Sequence, residues 1–255
     1  LCDWQGRRIV YCIGRPRDEN WMREVNEEVI CIVEKGRKNA KFTAKQLDNR
    51  RGPFPAEAIR YSHSGGQPSN TKHSARNLKV LETILANPAI CRLSGIANSA
   101  YKRFCPGMYE EYQKNSDALR AWKPSLCQNF KNTVFAVTTV NFGPQVIADD
   151  HVDNGNFGPG GCTISNAGNF NDHKGGEMVL WNLGVIIHSA LIRHQNLPIQ
   201  PGKSRYLITQ YSAGALFQYV ANGFLQQQGS FGTSHRAEER AIETRECTAV
   251  EGIIK

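Results

Sequence analysis

Near residue 133 the spacing of apolar residues changes from helical to strand-like. Before it, apolar side chains recur at three- and four-residue intervals. After it, β-branched and aromatic residues gather in short runs broken by Gly and Pro. Residues 134–142 form the first and strongest run. Further strand-like pieces fall at 161–165, 177–182, 185–188, 190–194, 204–211 and 215–220, and turn chemistry at 158–161, 174–176 and 198–202 separates most of them. Many short strands after a helical block predict a β-sandwich or jelly roll buttressed by helices.

The earlier part is mixed. A short strand is predicted over 8–13. A helix follows with Met22, Val25, Val29 and Val33 on one face, stopped at Gly36. Residues 50–71 read as a loop rich in Arg, Pro, Gly and Ser. Three helices are predicted over 71–87, 88–104 and 106–122, the first ended by Asn87-Pro88 and the third begun by Pro106. The expected organisation is a basic helical part over 1–130, a core over 131–228, and a polar tail over 229–255 with a short helical pattern at 236–247. The run 185–192 has no turn residue after Gly184, which is long for a jelly-roll strand. A turn segment missing between His188 and Ser189 is the expectation there.

Composition bounds the function classes. Of 255 residues, 40% are apolar and 21% charged, which excludes a disordered or fibrous chain. No apolar run reaches the roughly 18 residues needed to span a bilayer, and no membrane association is expected. The chain starts at Leu1 and is expected to be a fragment. Eight cysteines at irregular spacing, with no CxxC pair, are expected as reduced thiols in an intracellular protein. Net charge is +8, and the first 80 residues carry nearly all of it, with 16 basic against 9 acidic side chains. The densest stretch, from Lys35 to Arg51, includes Lys35, Arg37, Lys38 and Lys41. A basic face on a nearly neutral domain is the electrostatic footprint of a polyanion.

The chemistry concentrates in a few residues. His151 and Asp153 form an HxD pair after the strongest strand, and residues i and i+2 of an extended segment point the same way. A second His on a facing strand would complete a two-His-one-carboxylate triad, which leaves positions open on Fe(II) for a cosubstrate and O2. His194 fits best, with His188 as the rival. Arg205, on an apolar strand, suits the distal carboxylate of 2-oxoglutarate, because a buried carboxylate needs a cationic and preferably bidentate partner. The competing interpretation is a structural His151–Asp153 pair and a surface ion pair at Arg205.

The runs Phe135-Ala136-Val137-Thr138-Thr139-Val140-Asn141-Phe142-Gly143-Pro144 and His151-Val152-Asp153-Asn154-Gly155-Asn156 resemble the catalytic core of TET/JBP-type dioxygenases. So do Gly175-Gly176-Glu177-Met178-Val179-Leu180-Trp181, residues 189–196 and residues 205–211. The resemblance covers about 90 to 225 and is greatest to the branch of mushroom-forming fungi. It implies an α+β fold with a double-stranded β-helix core. It also implies oxidation of methyl groups on DNA bases with Fe(II), 2-oxoglutarate and O2. His151, Asp153 and His194 would ligate the iron, Arg205 would grip the cosubstrate, and Asn156 would hydrogen-bond the target base. Two departures stand out. The Pro/Gly turn before the strand of the second His is missing. Leu207 stands where a small hydroxyl residue is usual, a hydrogen bond that Thr209 or a Tyr would replace.

A methyl C–H is too inert for acid/base chemistry, so a redox metal suits the task. The base would be flipped out of the duplex, with Lys35, Arg37, Lys38 and Lys41 on phosphates and Tyr211 or Phe217 available to stack. The expected partner is methylated double-stranded DNA, carrying 5-methylcytosine or N6-methyladenine, bound by a nuclear monomer. Two rivals remain: a hydroxylase of a protein or small molecule on the same scaffold, and a DNA-binding module with an inactive metal site.

Overall fold

A five-stranded antiparallel sheet organises the chain in a computed structural model that describes residues 11–14, 16–171, 173–180 and 188–225. At its centre lies β3 (Val137–Asn141), every residue of it buried. Strand β7 (Arg205–Tyr211) pairs with β3 on one side and with β4 (Thr163–Gly168) on the other. On the far side of β3 come β1 (Ala56–Ser64) and the edge strand β2 (Gln67–Asn70). A second, two-stranded sheet pairs β5 (Met178–Leu180) with β6 (His194–Asn196). The fold is α+β, a double-stranded β-helix core buttressed by helices.

The two faces of the large sheet do different work, because successive strand residues point opposite ways. Val140, Tyr206 and Ile208 face outward. They are buried with Val29 and Val33 of α1 (Glu28–Asn39), Leu81 and Ile84 of α3 (Ala75–Ala86), and Ile90 of α4 (Pro88–Phe104). Arg205 and Leu207 face inward, and Leu207 packs with Phe54, Val146, Ala148 and Ile164. The helix starts follow local chemistry. Ser74 accepts from Asn77 N, Asn87 accepts from Ala89 N, and Pro88 and Pro106 open α4 and α5 (Pro106–Trp122). A short α2 (Ala44–Leu47) carries a capping box between Thr43 and Gln46.

Five sequence expectations need correction. The first helix does not stop at Gly36. A π-helical turn, Met22–Glu27, leads into α1, which runs on to Asn39. Gly36 lies against α3, where an added Cβ would sit 2.6 Å from Ile84 Cδ1, so the missing side chain lets the two helices close.

Residues 56–70, read as loop, form the β1–β2 hairpin. Its alternation was hidden because the buried position 57 is a glutamate, held by Gln46 Nε2 at 2.6 Å and Asn77 Nδ2 at 3.3 Å. Gly65 and Gly66, both at positive φ, make the two-residue turn.

The run 215–220 belongs to a helix, α6 (Gly214–Ala221), which buries Leu216 and Tyr219 three residues apart. An apolar run this short fits either period, and its tertiary neighbours decide.

The stretch 190–194 is a turn before it is a strand. Leu191 N and Ile192 N both donate to His188 O, and pairing begins only at His194. Ser189-Ala190-Leu191 thus supplies the reversal expected from a missing segment. The strand over 8–13 is not formed at its described residues 11–13. Of the other expectations, residues 8–10, 181–187 and the helical tail at 236–247 lie outside the described residues.

Candidate metal centre

Two histidines converge through the backbone. His151 N donates to His194 O at 3.0 Å, and His194 N donates to His151 O at 2.9 Å. Such a reciprocal pair sets two residues directly opposite, with side chains on the same side. The ring centroids are 4.2 Å apart. Asp153, two residues along, joins them from the same side, its own N–H donating to Ser189 O at 2.7 Å.

The three donor atoms lie within 4.8 Å of one another. His151 Nε2 is 3.9 Å from Asp153 Oδ1, and His194 Nε2 is 3.9 Å from Asp153 Oδ2. Each ring is oriented by its other nitrogen. His151 Nδ1 meets Asp149 O at 2.6 Å, and His194 Nδ1 meets Ile192 O at 2.9 Å. A carbonyl only accepts, so in the neutral ring Nδ1 carries the proton and Nε2 keeps a lone pair facing its partners. Burial lowers the His151 pKa, against the opposing hydrogen bond to Asp149 O, which favours the neutral, ligating form. Two imidazoles, each with Nε2 turned toward the group, and one carboxylate fit a divalent transition metal.

His188 stays outside this group. Its Nδ1 meets Gly160 O at 3.0 Å, and burial lowers its pKa, opposed by backbone bonds to Gly160 and Pro159. The unfolded chain takes up this proton first as pH falls, so folding stability declines as pH drops below the ordinary value of 6.5. His188→Gln is expected to flatten part of that decline in urea titrations across the acid side of 6.5, and an unchanged slope would contradict it.

Arg205 is fully buried on the inner face of β7. Its Nε and Nη2 donate to Val146 O, Nη2 also to Leu197 O at 2.9 Å, and Nη1 to Gly176 O at 2.8 Å. A guanidinium has five N–H groups, so a single Nη1 hydrogen is left beyond these four bonds. Burial lowers its pKa to about 10, against the nearby Glu177 charge, and it remains a cation at neutral pH. Thr209 shares the same face four residues on and is half-buried. Asn156 lies beside the triad, Nδ2 donating to Ser189 Oγ at 2.8 Å and N to Asp153 O at 2.8 Å.

The basic residues split into two groups. Lys35, Arg37, Lys38 and Lys41 are exposed on and after α1, on the outer side of the sheet. Tyr206, which donates to Glu34 of α1 at 2.6 Å, points opposite to Arg205. The structure therefore does not bring those four cations to the triad. Arg51, named only as the end of the basic stretch, is there instead, Nη2 donating to Asp153 Oδ1 at 2.8 Å. Its signal was the turn tetrapeptide Asn49-Arg50-Arg51-Gly52. Ser189 and Cys162 were also missed. Cys162 is buried close enough to Asp153 to feel its charge, and burial raises its pKa to about 12. Of the two aromatic candidates, Phe217 stacks on Phe157 with centroids 3.8 Å apart and belongs to the core. Tyr211 lies nearer the centre, where Asp153 and Arg51 both bear on its hydroxyl.

No protein-family model matches this chain, and no curated protein matches it in sequence. Among solved structures it is similar to NgTET1 in complex with 5mC DNA, at 14% identity and a TM-score of 0.45, over 73% of this chain and 68% of that one.

Proposed function

We propose that this protein is an Fe(II)- and 2-oxoglutarate-dependent dioxygenase that oxidises methyl groups on DNA bases. The observation that carries the reading is the His151–Asp153–His194 cluster, two ring nitrogens and a carboxylate aimed at one point. These three residues would hold the iron. With 2-oxoglutarate and O2, bound iron supplies the oxidising power that a methyl C–H requires. The remaining roles belong to the chain. Arg205 would offer its uncommitted Nη1 hydrogen to the distal carboxylate of 2-oxoglutarate, with Thr209 on the same face. Asn156 would hydrogen-bond a flipped base, and Tyr211 would be available to stack on it. Phosphates beside that base would meet the exposed Arg50 and Arg193. Lys35, Arg37, Lys38 and Lys41 would meet DNA only where it passes the outer helices. A DNA substrate in turn implies a nuclear location.

The test is nucleoside mass spectrometry on matched duplexes carrying 5-methylcytosine or N6-methyladenine, incubated with Fe(II), 2-oxoglutarate and ascorbate. Loss of either base, dependent on 2-oxoglutarate, is the expected result and names the substrate. Succinate release with both bases untouched would keep the iron chemistry and overturn DNA as the substrate.

A further inference from the structure

We propose that Arg51 is a positioning residue that fixes the carboxylate of Asp153 for metal binding, an inference that rests on reading the triad as a metal centre. Residues 49–52 form a closed turn. Asn49 N donates to Gly52 O at 3.2 Å, and Gly52 N donates to Asn49 O at 2.9 Å. The Asn49 side chain braces it from within, Oδ1 accepting from Arg51 N at 3.0 Å and Nδ2 donating to Phe54 O at 2.7 Å.

This turn is docked on the segment that leads into the triad. Asp149 N donates to Arg51 O at 2.7 Å. Gly52, at φ +141°, comes so close that an added Cβ would lie 2.4 Å from Ile147 O. Only glycine combines that φ with that approach. The docking sends the Arg51 side chain to Asp153 Oδ1. Arg50, its neighbour, is far more exposed. It reaches the same oxygen only at 3.7 Å and Val152 O at 3.4 Å.

The chemistry follows from the geometry. Asp153 is 7% exposed, so its carboxylate needs partners. A charge-assisted bond from Arg51 ties down one oxygen and leaves Oδ2 facing His194 Nε2. Without that tie the carboxylate could rotate between its two histidine neighbours, and the ligand atom would no longer be preset. Outer partners of this kind orient metal ligands much as the Asp149 and Ile192 carbonyls orient the two rings.

The experiment is a titration of the full chain with Co(II), reading affinity and the visible absorption of the bound ion. Arg51→Gln should weaken Co(II) binding by about 10- to 100-fold and alter the absorption bands, with far-UV circular dichroism unchanged. Arg51→Lys should recover part of the affinity, because it keeps the charge but not the planar fork. Gly52→Ala, which displaces the turn while keeping Arg51, should also weaken binding. Arg50→Gln should stay within about fivefold, as an exposed pair allows. Wild-type affinity and spectrum in Arg51→Gln would overturn the proposal. So would a loss confined to 2-oxoglutarate affinity with Co(II) binding intact. Failure of the wild-type chain to take up Co(II) would instead overturn the metal-centre reading, and this inference with it.

Discussion

His194→Ala is expected to weaken divalent metal binding by more than about 10²-fold, beyond the loss that outer-partner changes usually cause. It should abolish 2-oxoglutarate-dependent turnover along with it. The reason is the way the site is assembled. Both imidazoles are committed through Nδ1 to backbone carbonyls, so each offers Nε2 alone, and Asp153 adds the third donor. Two remaining donors hold an exchangeable ion weakly, and no other His, Asp, Glu or Cys among the described residues completes the group. Asp153→Asn should behave alike. It keeps the shape and an oxygen for Arg51 to bond, while the negative charge is lost. Anaerobic Fe(II) calorimetry gives the first readout and succinate release the second. DNA binding should be largely retained in both variants, since under the proposed function other residues would contact the phosphates. Unchanged Fe(II) affinity in either variant would remove the centre from these residues.

Arg205→Met is expected to cost about 3–5 kcal/mol of folding stability, because losing a buried hydrogen-bonded charge strands its partners at about 1–3 kcal/mol for each. The stranded groups are the carbonyls of Val146, Gly176 and Leu197. These belong to three separate segments: the strand exit before the triad, the approach to β5, and the residue after β6. Arg205 is thus the bolt between the large sheet and the small one. A loss of that size is a large fraction of the roughly 5–15 kcal/mol that stabilises an ordinary domain. Urea denaturation measures it, and a change below about 1 kcal/mol would show the carbonyls find other donors. Arg205→Lys separates structure from ligand binding. A lysine keeps the charge and some of the donors, so the variant should fold. Its 2-oxoglutarate affinity should fall more than its Fe(II) affinity if the same side chain also meets the cosubstrate.

Much of this was legible in the sequence for identifiable reasons. Strands β3 and β7 were found because their residues are β-branched or aromatic and their ends are marked by Gly and Pro. Helices α3, α4 and α5 were found because apolar spacing agrees with Asn87-Pro88 between the first two and Pro106 at the start of the third. The HxD pair could be read because i and i+2 on an extended chain share a side whatever the fold. The hairpin at 56–70 escaped because burial of Glu57 depends on Gln46 and Asn77, which lie outside the strand. Helix α6 escaped because six apolar-rich residues satisfy either period until Leu216 and Tyr219 find their neighbours.

The candidate cluster could thus be picked out in the chain: two histidines and one aspartate at an order and spacing that lets them meet. Short-range geometry is enough to propose such a set. Tertiary structure alone decided three further matters. It chose His194 over His188, because the backbone pairs residue 151 with residue 194 and turns away at 188. It put the basic end of α1 on the outer face of the sheet, because Val29 and Val33 bury against Tyr206 and Ile208 rather than against the triad. And it brought Arg51 to Asp153 across 102 positions of sequence. Side-chain direction alternates locally and can be read from a pattern. Which face of a sheet a distant segment covers depends on how the whole chain closes, and no local pattern carries that.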